Sequence, residues 1–99
     1  MFEFKFGRMV ISKAGHDKGK IFVILRSDSE YVYLMDGIYR TLEKPKKKKI
    51  KHVQPVYYMD ENLIIKINNN QPIINEEVKR AIKMYQKKQT PKGDENHNN

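Results

Sequence analysis

The chain has 99 residues, a formal charge of +8, 38% hydrophobic residues and no cysteine. This length fits one small domain with a modest core, and the missing cysteines exclude disulfides and thiolate zinc sites. The start of the chain lacks the basic and apolar regions of a signal peptide, and the longest apolar run, residues 21–25, is too short to span a membrane. We therefore expect a soluble, cytoplasmic protein whose excess positive charge suits a polyanionic partner.

Five short strands are predicted in the first half of the chain, at residues 9–13, 21–25, 31–35, 38–42 and 50–53. Val32 and Leu34 share one face of the third strand, Asp36-Gly37 is a strong turn dipeptide, and Pro55 is expected to end the fifth strand. Short strands separated by turns are typical of a small barrel.

The pattern changes after Pro55. Asp60 can cap a short helical turn over the apolar residues that follow, although the same run is compatible with a strand. Asn75 is predicted as the N-cap of a longer helix, with two acidic residues in its first turn where they complement the helix dipole. The residues at helical spacing that we expect to face the barrel are Val78, Ala81, Ile82 and Tyr85.

These elements predict a mainly β protein with three parts. Residues 1–55 form the five-stranded barrel, and residues 56–88 form a helical extension packed on it. Residues 89–99 form a polar, asparagine-rich tail that we expect to be disordered.

The first candidate site is the glycine loop, residues 14–20, which reads Ala-Gly-His-Asp-Lys-Gly-Lys. Only three residues separate its glycines and a strand follows it, so it is not a nucleotide-binding P-loop. One interpretation is a plain hairpin turn, and Asp17 beside Lys18 is predicted to be a turn residue and not a general base. The other adds contacts from His16, Lys18 and Lys20 to RNA phosphates or base edges.

The second candidate site is a lysine-rich stretch. Between Arg40 and His52 the chain carries seven lysines or arginines and a single acid, Glu43. Such a density would release several counterions on binding a nucleic acid. The alternatives are a solvated loop and attraction to anionic lipid, but no lipidation motif or apolar anchor accompanies the charges. We therefore expect a nucleic acid as partner and no membrane.

Tyr31, Tyr33 and Tyr39 lie close to these basic regions in sequence. Tyrosines on a sheet surface can stack on unpaired bases, or they can pack under lysine stems or against a docked helix. No catalytic motif, metal-ligand spacing or cofactor fingerprint accompanies them. We expect no enzyme activity, no cofactor, no metal and no small-molecule substrate.

The segment from Gly7 to Gly37 resembles the KOW motif. The matching residues are Gly7, Arg8, Val10, Ala14, Gly15, Gly19, Lys20, Val23, Val32, Leu34, Asp36 and Gly37. The resemblance covers about half of the chain and is closest to KOW-containing archaeal and eukaryotic large-subunit ribosomal proteins and their small bacterial RNA-binding relatives. The lysine-rich stretch and the following residues 49–55 also look like that bacterial group.

The resemblance implies an SH3-like barrel that holds structured RNA, with ribosomal RNA and ribosomal proteins as expected partners. KOW domains also contact proteins, so the alternative function is a protein-interaction module in transcription or translation complexes. One contact patch is predicted at Arg8, Lys13, His16, Lys18 and Lys20, with Gly15 and Gly19 shaping the loop. A second patch is predicted at Arg40, Lys44, Lys46, Lys47, Lys48, Lys49 and Lys51.

Overall fold

The structure is a computed structural model and describes residues 1–89. It contains five strands, one 3₁₀ turn and two helices. The strands are β1 (Met9–Ser12), β2 (Ile21–Ser27), β3 (Tyr31–Met35), β4 (Lys46–Lys49) and β5 (Val53–Val56). The 3₁₀ turn covers Ile50–His52, and the helices are α1 (Glu61–Asn68) and α2 (Asn75–Gln89). The prediction of a mainly β chain with C-terminal helices is confirmed.

The five strands form one antiparallel sheet in the order β4-β3-β2-β1-β5. Met9 of β1 lies opposite Val23 of β2 and Val56 of β5, while Val32 of β3 lies opposite Lys48 of β4. A register shift between β2 and β3 leaves Leu25 as an extra residue, a bulge that bends the strand. β4 and β5 are the two edges of the sheet, and the 3₁₀ turn connects them.

The alternation of side chains along the strands divides the core into two clusters, one on each face of the sheet. The cluster under the helices comprises Met9, Val23, Met35, Val56, Leu63, Ile73, Val78, Ala81 and Ile82. The cluster on the opposite face comprises Phe2, Val10, Phe22, Ile24, Val32, Leu34 and Val53. Burial of both faces of so small a sheet gives it a fixed register, because a one-residue slip would exchange the two faces.

The strand predicted at residues 38–42 is wrong. Asp36 is buried, and its Oδ1 accepts hydrogen bonds from the backbone N–H groups of Ile38, Tyr39 and Arg40 at 2.8–2.9 Å. These are the donors that a fourth strand would have offered to its neighbour. The segment is therefore a loop folded around one carboxylate, and the fourth strand forms later in the chain from the four lysines of β4.

The fifth strand also differs from the prediction. Residues 50–52 form the 3₁₀ turn, and β5 continues through Pro55 to Val56. Proline is tolerated there because β5 is an edge strand that pairs only with β1.

The two helices begin as the sequence suggests, with one exception. Asp60 caps α1 by accepting a hydrogen bond from the Leu63 N–H at 3.0 Å. Asn75 is not the cap of α2, because its side chain accepts instead from the backbone N–H of Leu42 at 2.9 Å. The Glu77 carboxylate accepts from the Ile74 N–H, also at 2.9 Å, and so satisfies the start of α2.

Val78, Ala81 and Ile82 are buried against the sheet and Tyr85 is partly buried beside them, as their helical spacing predicts. Gln89 closes α2 and is therefore helical, which corrects the predicted start of the tail. The rest of the predicted tail, residues 90–99, lies outside the described residues.

Candidate nucleic-acid interface

The glycine loop is a compact double turn between β1 and β2. Gly15 and Gly19 take positive φ angles of 85° and 87°, which only glycine adopts without strain. The Gly19 N–H donates to the Ser12 carbonyl at 2.8 Å, and the Lys20 N–H donates to the Asp17 carbonyl at 2.9 Å. The two glycines therefore give the loop its shape, as predicted.

Asp17 is the centre of this loop. Its Oδ1 accepts from the Ser12 hydroxyl at 2.7 Å and from the Lys48 ammonium at 2.9 Å, and its Oδ2 lies 3.1 Å from the Lys46 ammonium. Burial by itself would raise the pKa of Asp17, but the hydrogen bonds from Ser12, Lys48 and Lys46 together hold it well below its usual range. Asp17 is therefore more than a turn residue, because its carboxylate connects the loop to β4 through two ion pairs.

The four lysines of β4 are divided between the two faces of the strand. Lys46 lies opposite Leu34 and Lys48 opposite Val32, so both point to the side of the sheet on which Asp17 lies. Lys47 lies opposite Tyr33 and Lys49 opposite Tyr31, on the other face, and both are exposed. The predicted lysine patch is therefore two surfaces.

Lys20 makes a second ionic contact at the base of the glycine loop. Its ammonium lies 2.8 Å from Oδ2 of Asp36, the same carboxylate that holds the loop after β3. Burial acts to raise the pKa of Asp36, but the hydrogen bonds from Lys20 and from the backbone outweigh it and lower the pKa. Lys20 thereby fixes the two loops next to each other, although its side chain remains partly exposed.

The neighbouring loops enclose a shallow cavity of about 260 Å³, which we call the loop cleft. Its lining residues are His16, Asp17, Lys20, Phe22, Tyr39, Arg40 and Lys46. The structure thus brings together residues from both predicted patches around the aromatic ring of Tyr39. Two of the cations, Lys20 and Lys46, are paired with aspartates, whereas Arg40 is an exposed side chain.

The face of β2, β3 and β4 that lies opposite to Lys46 and Lys48 carries a second basic surface, which we call the strand face. Its residues are Arg26, Tyr31, Tyr33, Lys47 and Lys49. The Arg26 guanidinium lies 4.3 Å from the centre of the Tyr33 ring, and the Lys47 ammonium lies 4.3 Å from that of Tyr31. Both distances fit cation–π contacts, so each of these two tyrosines packs against a cation.

The remaining predicted residues are dispersed. Arg8 is half-buried with its guanidinium 4.3 Å from the Phe2 ring centre, which makes it part of an aromatic cluster rather than of the loop cleft. Lys13, Lys18, Lys44 and Lys51 are exposed. None of these five residues lines the loop cleft.

Sequence reasoning missed Arg26 and the structural role of Asp17. Arg26 lies in a polar stretch that was expected to be a turn, and nothing in the sequence indicated that β2 extends to Ser27. The signal for Asp17 was its position: an acid within a basic loop is the natural partner of a lysine that has to be buried.

Comparison with known proteins adds no relative. No protein-family model matches the chain, and no curated protein matches it. Over residues 1–89, no helix has the length and apolar character needed to cross a membrane.

Proposed function

We propose that this chain binds RNA through the loop cleft and the exposed cations around it. The observation that carries the proposal is that His16, Lys20 and Arg40 line one cavity together with the exposed side chain of Tyr39. Cations supply phosphate contacts, and an aromatic ring supplies a surface for a base or a sugar. These side chains come from two loops that the Lys20–Asp36 ion pair joins, so the folded sheet, and not a flexible tail, determines their arrangement.

The contacts proposed here are to phosphate and 2′-OH groups, which position a protein on RNA without reading its sequence. The cations proposed to contact phosphates are the exposed side chains Lys18, Arg40 and Lys44. Lys46 and Lys48 are held by Asp17, so their role is to support the glycine loop. Ribosomal RNA, reached in the cytoplasm, is the partner that the KOW resemblance suggests.

We propose further that the sheet is an SH3-like KOW barrel. Two features support it. The three-residue 3₁₀ turn joins β4 directly to β5. The end of β4 therefore lies close to the start of β5, although the two strands form opposite edges of the sheet. The Lys48 ammonium reaches from edge strand β4 to the Ala14 carbonyl at 2.9 Å, in the loop that follows β1, and this contact supports a curled sheet.

The test is fluorescence anisotropy with a labelled ribosomal RNA hairpin, titrated between about 50 and 200 mM salt. We compare the wild-type chain with Lys18→Gln/Arg40→Gln and with the control Lys87→Gln/Lys88→Gln, which removes the same charge from the end of α2. The first variant should bind more weakly, with a log–log salt slope flatter by about 2, or about 1 per lost phosphate contact. The control should retain nearly the wild-type slope.

Equal losses in both variants would mean that net charge alone attracts RNA, and the loop cleft would not be the site. Absence of RNA binding by the wild-type chain would overturn the proposal. The protein-interaction alternative then predicts co-sedimentation with ribosomes or polymerase that survives RNase treatment.

A further inference from the structure

Tyr39 is the most exposed tyrosine side chain of the described residues, yet its backbone is held firmly. The residue is 78% exposed. Its N–H donates to the buried Asp36 carboxylate at 2.9 Å, and the loop is closed by the Asp36 N–H donating to the Arg40 carbonyl at 2.8 Å. An exposed aromatic side chain on a fixed loop loses little entropy when a flat ligand stacks on it.

Gly37 packs this loop against α2. It has a φ of +82°, and a Cβ there would meet the Asn75 carbonyl oxygen and the backbone nitrogen of Lys79. The loop that presents Tyr39 is thus in contact with the first turns of α2 on one side and with Lys20 on the other. The position of the tyrosine relative to the sheet is therefore determined by the core.

Tyr39 and Lys20 are shared by two adjoining cavities. The first is the loop cleft. The second, which we call the helix groove, has a volume of about 290 Å³ and lies between this loop and α2. Lys20 and Tyr39 line it on the loop side, and residues of α2 line it on the other side.

The helix groove combines apolar and cationic groups. Ile21, Ile38 and Ile82 supply the apolar part, and Lys83 adds positive charge on the α2 side, where Lys79 is paired with Glu76 at 3.5 Å. On the other side of Tyr39, the loop cleft adds the positive charge of Arg40. A nucleotide has this dual character, because its base is flat and largely apolar on its faces while its phosphates are anionic.

We propose that Tyr39 stacks on the base of an unpaired nucleotide, with the flanking phosphates neutralised by the cations of the loop cleft and the helix groove. This inference rests on the proposed RNA-binding function and narrows its target to single-stranded loops, bulges or ends. Bases inside a duplex have no free face, so they cannot stack on a side chain. A cation already lies near the ring, with the Lys20 ammonium 5.3 Å from its centre, and this keeps a positive charge next to the stacked nucleotide.

The experiment compares two RNAs with the same number of phosphates, a hairpin with an unpaired loop and a blunt duplex. Affinities are measured for the wild type, Tyr39→Ala, Tyr39→Phe and Tyr57→Ala. Tyr57 is a matched control because it is 71% exposed and lines neither cavity. Thermal unfolding by circular dichroism verifies that each variant is folded.

We expect the wild type to prefer the hairpin. Tyr39→Ala should lose about tenfold or more in affinity for the hairpin, the effect of one base–aromatic stack, and should keep its affinity for the duplex. Tyr39→Phe should retain hairpin binding within about twofold, since phenylalanine also stacks. Tyr57→Ala should retain it to the same extent, because Tyr57 lines neither cavity.

Two results would overturn the stacking proposal while leaving RNA binding in place. One is hairpin affinity of Tyr39→Ala equal to that of the wild type. The other is an equal loss on hairpin and duplex, which would assign Tyr39 to phosphate or sugar contacts. If the wild-type chain binds neither RNA, the proposed function itself fails.

Discussion

Lys48 and Asp17 form an ion pair that joins the glycine loop to the outermost strand of the sheet. The ammonium lies 2.9 Å from Oδ1, and the two side chains are only 10% and 12% exposed. Lys48 also donates to the Ala14 carbonyl at 2.9 Å. Lys48, which the sequence predicts to contact RNA, therefore stabilises the fold.

The first prediction concerns the stability that this pair supplies. Lys48→Met keeps the aliphatic stem but leaves Asp17 with a smaller set of partners in a mostly buried place. We expect a loss of about 3 kcal/mol in the free energy of unfolding, the lower end for a broken buried pair, because Ser12 and Lys46 remain. The exposed neighbour provides the control, since Lys49→Met should change stability by less than about 0.5 kcal/mol. Urea unfolding measures both, and equal stabilities would show that the pair contributes nothing.

The second prediction concerns pH. Because the pKa of Asp17 in the folded chain lies below its ordinary value of 3.8, the unfolded chain binds protons first as the pH falls. The contribution of Asp17 to stability is therefore complete above pH 3.8 and is lost as the pH falls towards the folded pKa. Asp17→Asn removes this dependence.

Urea midpoints of the wild type and Asp17→Asn, measured from neutral pH downwards, provide the test. The wild type should be the more stable at neutral pH, and the difference should shrink below pH 3.8. A difference that stays constant down to acid-induced unfolding would mean that the charge of Asp17 is not what stabilises the loop.

The sequence predicts the first three strands and α2 because each has a clear periodicity, whereas it leaves α1 open between a helical turn and a strand. Val32 and Leu34 alternate with the partly buried Tyr31 and Tyr33, and Val78 and Ile82 repeat at helical spacing. Gly15 and Gly19 are also predicted to shape the loop, and both take positive φ angles. These features are local, so they can be read from neighbouring residues.

The fourth strand could not be predicted, because nothing in four consecutive lysines shows the alternation of a half-buried strand. Two of them, Lys46 and Lys48, pair their charge with Asp17, which is 31 residues from Lys48 in the chain. The competing segment, residues 38–42, has the apolar content of a strand, but the Asp36 carboxylate takes its donors. Both outcomes depend on one aspartate each, and sequence periodicity does not report such contacts. The lining of the loop cleft depends on the same two outcomes, because Tyr39 and Arg40 lie in a loop and Lys46 lies in the fourth strand.

The third prediction compares two glycines with nearly equal φ angles. At Gly19, with φ +87°, an added Cβ would meet nothing within 4 Å, so Gly19→Ala pays only the cost of the left-handed backbone, about 1 kcal/mol. At Gly37, with φ +82°, the Cβ would also collide with backbone atoms of α2. Gly37→Ala should therefore cost at least about 2 kcal/mol more than Gly19→Ala.

Urea unfolding of the two alanine variants measures this difference. Hydrogen exchange should show the extra loss at Gly37 as reduced protection in the first turns of α2, where the contact lies. Equal destabilisation of the two variants would mean that α2 can shift away from the loop at no cost, and the fixed position of Tyr39 would lose its support.

The fourth prediction separates the two sides of β4 in RNA binding. Lys47→Gln/Lys49→Gln removes charge from the strand face, where neither ammonium is paired with an acid among residues 1–89. The fold should be unaffected. If RNA extends from the loop cleft across β3 and β4, the log–log salt slope should become flatter by about 2, and Arg26→Gln should flatten it further by about 1.

The matched variant is Lys46→Gln/Lys48→Gln, which removes the same charge from the side of Asp17. It should lower the free energy of unfolding by several kcal/mol, since two partners of a mostly buried carboxylate are lost together. Any loss of RNA binding in this variant should follow the fraction of unfolded chain and disappear at low temperature. An unchanged salt slope for Lys47→Gln/Lys49→Gln would restrict the RNA to the loop cleft and its rim, because the strand face would then carry no phosphate.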